Sequence, residues 1–84
     1  MMTFRARVHV MLKRDVADVQ GIAIQQSLHR HGAPVKEVKA GKYFEIELDC
    51  ADEDAARKKV DELANGTFAN PVIERYWFDL VADK

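Results

Sequence analysis

The sequence predicts an α+β domain with the element order β-α-β-α-β. Three stretches alternate apolar and polar residues with the period of a strand, and the two stretches between them carry helix start and stop signals. At 84 residues the chain has room for one domain, spanning 1–84. This pattern implies a two-layer sandwich, with a mainly antiparallel sheet and both helices on one face.

Residues 4–13 place Phe4, Ala6, Val8, Val10 and Leu12 on one parity and Arg5, Arg7, His9, Met11 and Lys13 on the other, which is a half-buried strand. Asp18 then stands at an N-cap position, where its carboxylate accepts from free first-turn amides. A helix over residues 19–31 follows, with Val19, Ile22, Ala23 and Leu28 as its buried stripe. Gly32 and Pro34 end it. Gly21 in the first turn fits either close approach of another backbone or tolerance near a helix end.

From residue 35 to 50, Val38, Ala40, Phe44, Ile46, Leu48 and Cys50 share one parity, and Glu37, Lys39, Tyr43, Glu45, Glu47 and Asp49 share the other. A hairpin at Gly41-Lys42 would set Val38 opposite Glu45 and mix the two parities. One long strand over 35–50, bent at Gly41, keeps them apart. Such a strand spans on the order of 50 Å and overhangs a domain of this size. A second copy is the simplest cover for that edge, so the pattern predicts a homodimer.

Acids at Asp52-Glu53-Asp54 open a second helix over residues 53–65, with Ala56, Val60, Leu63 and Ala64 facing the core. Asn65-Gly66 ends it, and Phe68-Ala69-Asn70-Pro71 connects to a strand over 72–80. That strand is apolar on both parities (Tyr76, Phe78 and Leu80 against Ile73 and Trp77), which predicts cover on two sides. The tail 81–84 is expected to be loosely held.

A net charge of −1 argues against a general nucleic-acid binder. The charge is unevenly spread: residues 1–42 sum to +5 and residues 43–84 to −6, an asymmetry able to steer association. The single cysteine, Cys50, excludes an intrachain disulfide and reads as a buried, inert thiol suited to a reducing cytoplasm. No apolar run is long enough to cross a bilayer as a helix.

Chemistry-bearing groups are sparse. His29 and His31 point to different sides of a helix, so neither they nor His9 make a convincing metal site. Glu45 and Glu47 lie about 7 Å apart on one strand face, a spacing open to two-carboxylate chemistry or to a solvated or interface side. Tyr43 beside Lys39 and Lys42 fits an interface better than an RNA platform, which carries more aromatics. The residues thus predict an assembly module with no catalytic, cofactor-binding or metal site of its own.

Four segments in this order and spacing resemble the PurS family: Arg7-Val8-His9-Val10-Met11-Leu12-Lys13, Val16-Ala17-Asp18-Val19-Gln20-Gly21, Gly41-Lys42-Tyr43-Phe44-Glu45-Ile46-Glu47-Leu48 and Ala69-Asn70-Pro71-Val72-Ile73-Glu74-Arg75-Tyr76. The likeness runs from about residue 4 to residue 80. Val19 departs from the proline usual in the family at the first helical position, and Phe68 from a leucine. The resemblance implies a non-catalytic subunit of phosphoribosylformylglycinamidine synthase in purine biosynthesis, assembled with a large synthetase subunit (PurL type) and a glutaminase subunit (PurQ type). ATP and magnesium would belong to the synthetase subunit, and the complex would be cytoplasmic.

Two contact surfaces are then expected: Tyr43, Glu45 and Glu47 with Lys39 and Lys42, and Asn70-Pro71 with Arg75 and Trp77. The competing reading is a dimeric ligand-sensing module of similar build. Thermal stabilisation by a metabolite in the absence of any protein partner would favour it.

Overall fold

The computed structural model describes residues 1–83. Strand β1 (Met2–Leu12), helix α1 (Val19–Arg30), strand β2 (Gly41–Cys50), helix α2 (Glu53–Ala64) and strand β3 (Glu74–Asp83) follow in the predicted order. The sheet has the order β2-β1-β3, with β1 antiparallel to both neighbours.

Register explains the core. With Ala6 opposite Ile46 and Leu80, and Val8 opposite Phe44 and Phe78, every apolar parity lands on one face. There Phe4, Ala6, Val8 and Val10 of the central strand are buried with Ala56, Val60 and Ala64 of α2. Full burial of a side chain such as Phe4 or Val60 is worth about 1.5–3 kcal/mol. The predicted stripe of α2 holds, with Leu63 only partly covered.

Three expectations need correction. First, β2 begins at Gly41 rather than near residue 35, because its ladder with β1 ends at Met11↔Gly41 and β1 itself stops at Leu12. Residues 35–40 bond instead toward α1: Ala40 donates its N–H to Asp18 Oδ2 (2.8 Å), and Gln25 donates Nε2–H to the Val35 carbonyl (3.2 Å).

Second, only α2 packs on the sheet; α1 lies against none of the three strands. Its expected buried stripe is therefore exposed, 75% at Val19 and 51% at Ile22. Third, β3 does not stop at residue 80: Val81 and Ala82 pair with Arg5 and Phe4, so the tail is tied down as far as Asp83. Lys84 lies outside the described residues.

The shape follows from the second point. The Cα radius of gyration is 16.4 Å and the longest dimension 52 Å, against about 12 Å expected for the radius of a compact chain of this length. Strands of ten or eleven residues account for about 35 Å and the twelve-residue α1 for about 18 Å. Those lengths nearly sum to the long axis, so α1 projects beyond the end of the sheet.

Candidate functional site: the open face of the sheet

The parity opposite the core is covered by no helix among the described residues. One cross-strand row on it is aromatic. His9 on β1 pairs with Tyr43 on β2 and Trp77 on β3, and all three side chains meet. The imidazole stacks on the indole at 5.3 Å between centroids, tilted by 14°, and lies 5.2 Å from the Tyr43 ring. The Arg75 guanidinium sits over the indole, 5.0 Å from its centre. Directly opposed and stacked rings of this kind add about 0.5–1.5 kcal/mol beyond the area they bury. Even so, Tyr43 and Trp77 stay about half exposed.

The next rows are ionic. Arg5 Nε lies 3.8 Å from Glu45 Oε1, and its Nη2 lies 3.8 Å from Glu47 Oε2. Arg7 stands between Glu45 and Asp79 in the ladder. The Tyr43 hydroxyl donates to Glu45 Oε2 (3.2 Å). Partial desolvation, and then the Glu45 carboxylate that accepts this proton, hold the phenol above its usual pKa. Glu45 and Glu47 are thus engaged with arginine rather than free for acid–base chemistry.

Glu74 lies at the α1 end of the sheet on the other parity, the one it shares with Tyr76, Phe78 and Leu80 on the core side. Its Oε1 accepts the Asn70 N–H (2.7 Å), and its Oε2 lies 3.2 Å from Lys42 Nζ. Lys42 also donates to the Phe68 carbonyl (3.3 Å). Asn70 Oδ1 accepts the Val72 N–H (3.1 Å), so the turn carrying Pro71 is held from both sides. The Asn70 amide, and then Lys42, hold the Glu74 carboxyl below its ordinary range despite its burial.

The nine residues expected at the interface therefore fall into three places. Tyr43, Glu45, Glu47, Arg75 and Trp77 share the open face, joined through His9 and Arg5 into one surface where the sequence had implied two. Lys42, Asn70 and Pro71 are gathered around Glu74 on the opposite, core side of the sheet rather than on the open face. Lys39 stands apart beside α1, 3.9 Å from Glu37. His9, Arg5, Arg7 and Glu74 were not among the expected site residues. The alternation of β1 marks its three as outward, but only the central place of β1 makes them the link.

Cys50 is part-exposed rather than buried. Among the described residues no group of three or more His, Cys, Asp or Glu could hold a metal, and no helix is long and apolar enough to cross a membrane.

A one-helix sheet with an open aromatic and ionic face defines the class: a small α+β module built for assembly. Comparison with known proteins gives the family. The model of the PurS family, described as phosphoribosylformylglycinamidine (FGAM) synthase, matches residues 5–82. The chain is 36% identical over 81 residues to phosphoribosylformylglycinamidine synthase subunit PurS of Synechocystis sp., covering 95% of this chain and 81% of that one.

Solved structures agree. The chain superposes on Bacillus subtilis PurS with a TM-score of 0.84 at 35% identity, over 93% of this chain and 98% of that one. It also superposes on a chain of the Thermotoga maritima PurLQS structure with a TM-score of 0.87 at 27% identity, over 96% and 100% respectively. The chain belongs to the PurS family.

Proposed function

We propose that this chain is the small, non-catalytic subunit of a cytoplasmic phosphoribosylformylglycinamidine synthase complex in de novo purine biosynthesis. In such a complex a glutaminase subunit releases ammonia from glutamine. The large synthetase subunit uses ATP and magnesium to activate the amide oxygen of formylglycinamide ribonucleotide, which ammonia then displaces to give the amidine. Free ammonia would be protonated and lost in bulk water, so its passage requires a water-excluding junction. This subunit, as a homodimer, braces that junction between the other two.

The observation that carries this reading is the row Tyr43–His9–Trp77 with Arg75 above it, an open patch of the residue types that anchor protein interfaces. The PurLQS structure that this chain resembles supports a place beside a synthetase and a glutaminase subunit. Trp77→Ala, or Glu45→Lys with Glu47→Lys, should abolish co-elution of the chain with those two subunits while the variant itself stays folded. Unchanged co-elution removes the open face from the proposal.

A further inference from the structure

The middle of the aromatic row is a titratable ring. His9 is half-buried on the central strand, between Tyr43 and Trp77, which stay about half exposed. Its ring nitrogens bond to no group among the described residues, so its side-chain contacts are the two neighbouring rings. His29 and His31, by contrast, stand at the C-terminal end of α1, off this face. Imidazole is the one side chain that ordinarily changes its charge between about pH 5 and 8.

Each strand brings charge to the rim of His9. On β1 itself, Arg7 and Met11 lie two residues to either side on the same face, about 7 Å away. β2 supplies Tyr43 directly opposite and Glu45 diagonally; β3 supplies Trp77 opposite, with Arg75 and Asp79 on the two diagonals. Both acids are already engaged. Glu45 accepts the Tyr43 proton and lies near Arg5, and Asp79 stands opposite Arg7. The indole likewise already carries the Arg75 guanidinium. An imidazolium would therefore be a further cation beside Arg7 and Arg75, stacked on a ring that one of them occupies. Water screens that crowding while the face is open. Beneath a docked subunit the screening is lost, and desolvation disfavours the charged form.

We propose that His9 is a proton-controlled gate on the open face: the synthetase and glutaminase subunits dock on the neutral imidazole, and protonation of His9 weakens that docking. The inference rests on the open face as the docking surface proposed above and adds what regulates it. Because the neutral form binds, docking releases a proton wherever free His9 is charged. Association therefore strengthens as pH rises through the imidazole range and weakens as pH falls through it, approaching about tenfold per pH unit at the acid end.

The test is a binding titration of the synthetase and glutaminase subunits with this chain from about pH 7.5 to about pH 5.5, for the native chain, H9F and H9Q. Phenylalanine keeps an apolar ring and glutamine a neutral polar group, and neither takes up a proton in this range. Whatever the affinities at the upper pH, the native chain should lose about tenfold more affinity over the range than either variant. Calorimetry of the native chain in two buffers of different ionisation heat should count about one proton released per chain docked at the acid end. Equal pH slopes in all three proteins, or a native count of zero protons, would overturn the gate and leave the open face standing. W77A docking as tightly as the native chain at the upper pH would overturn the open face and the gate with it. The proton count needs only the native chain, so a misfolded variant does not decide the matter.

Discussion

In the central strand of the sheet, Phe4, Ala6, Val8 and Val10 are fully withdrawn from water; in α1 only Gly21 is. Yet both segments carry regular apolar patterns, and α1 is capped as carefully as α2, each by an aspartate that accepts an amide proton three residues on. The difference lies in what each segment meets. β1 is flanked by two strands and roofed by α2, so its pattern is satisfied within the chain. The projecting arm, α1, meets only its own returning segment, residues 33–40. One molecule thus holds a self-sufficient body and an arm that is finished locally but not globally.

Five substitutions would break or sharpen that contrast. Phe4→Ala removes a fully buried ring and should cost about 3–5 kcal/mol, a large part of the stability of so small a domain. Ile22→Ala, measured by urea unfolding at dilutions where the chain is monomeric, should stay within about 0.5 kcal/mol. Comparable losses at the two sites would erase the distinction between body and arm.

Glu74→Ala comes next. It strips the partner from Lys42 and from the Asn70 amide and should cost about 1–3 kcal/mol in the same urea series, with Glu74→Gln closer to native.

Asp18→Asn should act locally. One carboxylate both caps α1 through Gly21 and ties down Ala40, and those two backbone bonds, Ala40 first, lower its pKa. A depressed folded pKa means the tether is fully present above the unfolded pKa and is lost as pH falls through the folded one. Hydrogen exchange in increasing acid should therefore release the Gly21 and Ala40 amides while the β1 amides stay protected. Release of both regions together would contradict a separate arm.

The smallest effect belongs to Arg57→Ala, which removes an exposed pair with Glu53 on α2 (3.7 Å) and should change stability by no more than about 0.5 kcal/mol.

The contrast also explains what the sequence could and could not disclose. Parity fixed the faces of β1 and β2, whereas β3, apolar on both parities, was expected to be covered on two sides although Trp77 lies on the open face. Start and stop signals at Asp18, Gly32, Asp52-Glu53-Asp54 and Asn65-Gly66 placed both helices within about a turn. An apolar stripe states that a helix must be covered, not by which chain, so Val19, Ile22 and Leu28 read as core although α1 leaves the sheet. Alternation through Val38 and Ala40 likewise continued past Gly41, whereas the end of β2 was set by where β1 ran out of residues. At the candidate site, Tyr43, Glu45, Glu47, Arg75 and Trp77 were legible one by one. Their union was not, because it runs through His9 and Arg5 and depends on β1 being central, a fact of strand order rather than of local pattern.

The most direct test of the account is turnover of the reconstituted complex. Amidine formation by the synthetase and glutaminase subunits would be measured with and without this chain, driven first by glutamine and then by added ammonium. The account predicts that glutamine-driven turnover depends on the chain far more than ammonium-driven turnover does. Equal dependence of the two, or none, would contradict a coupling role.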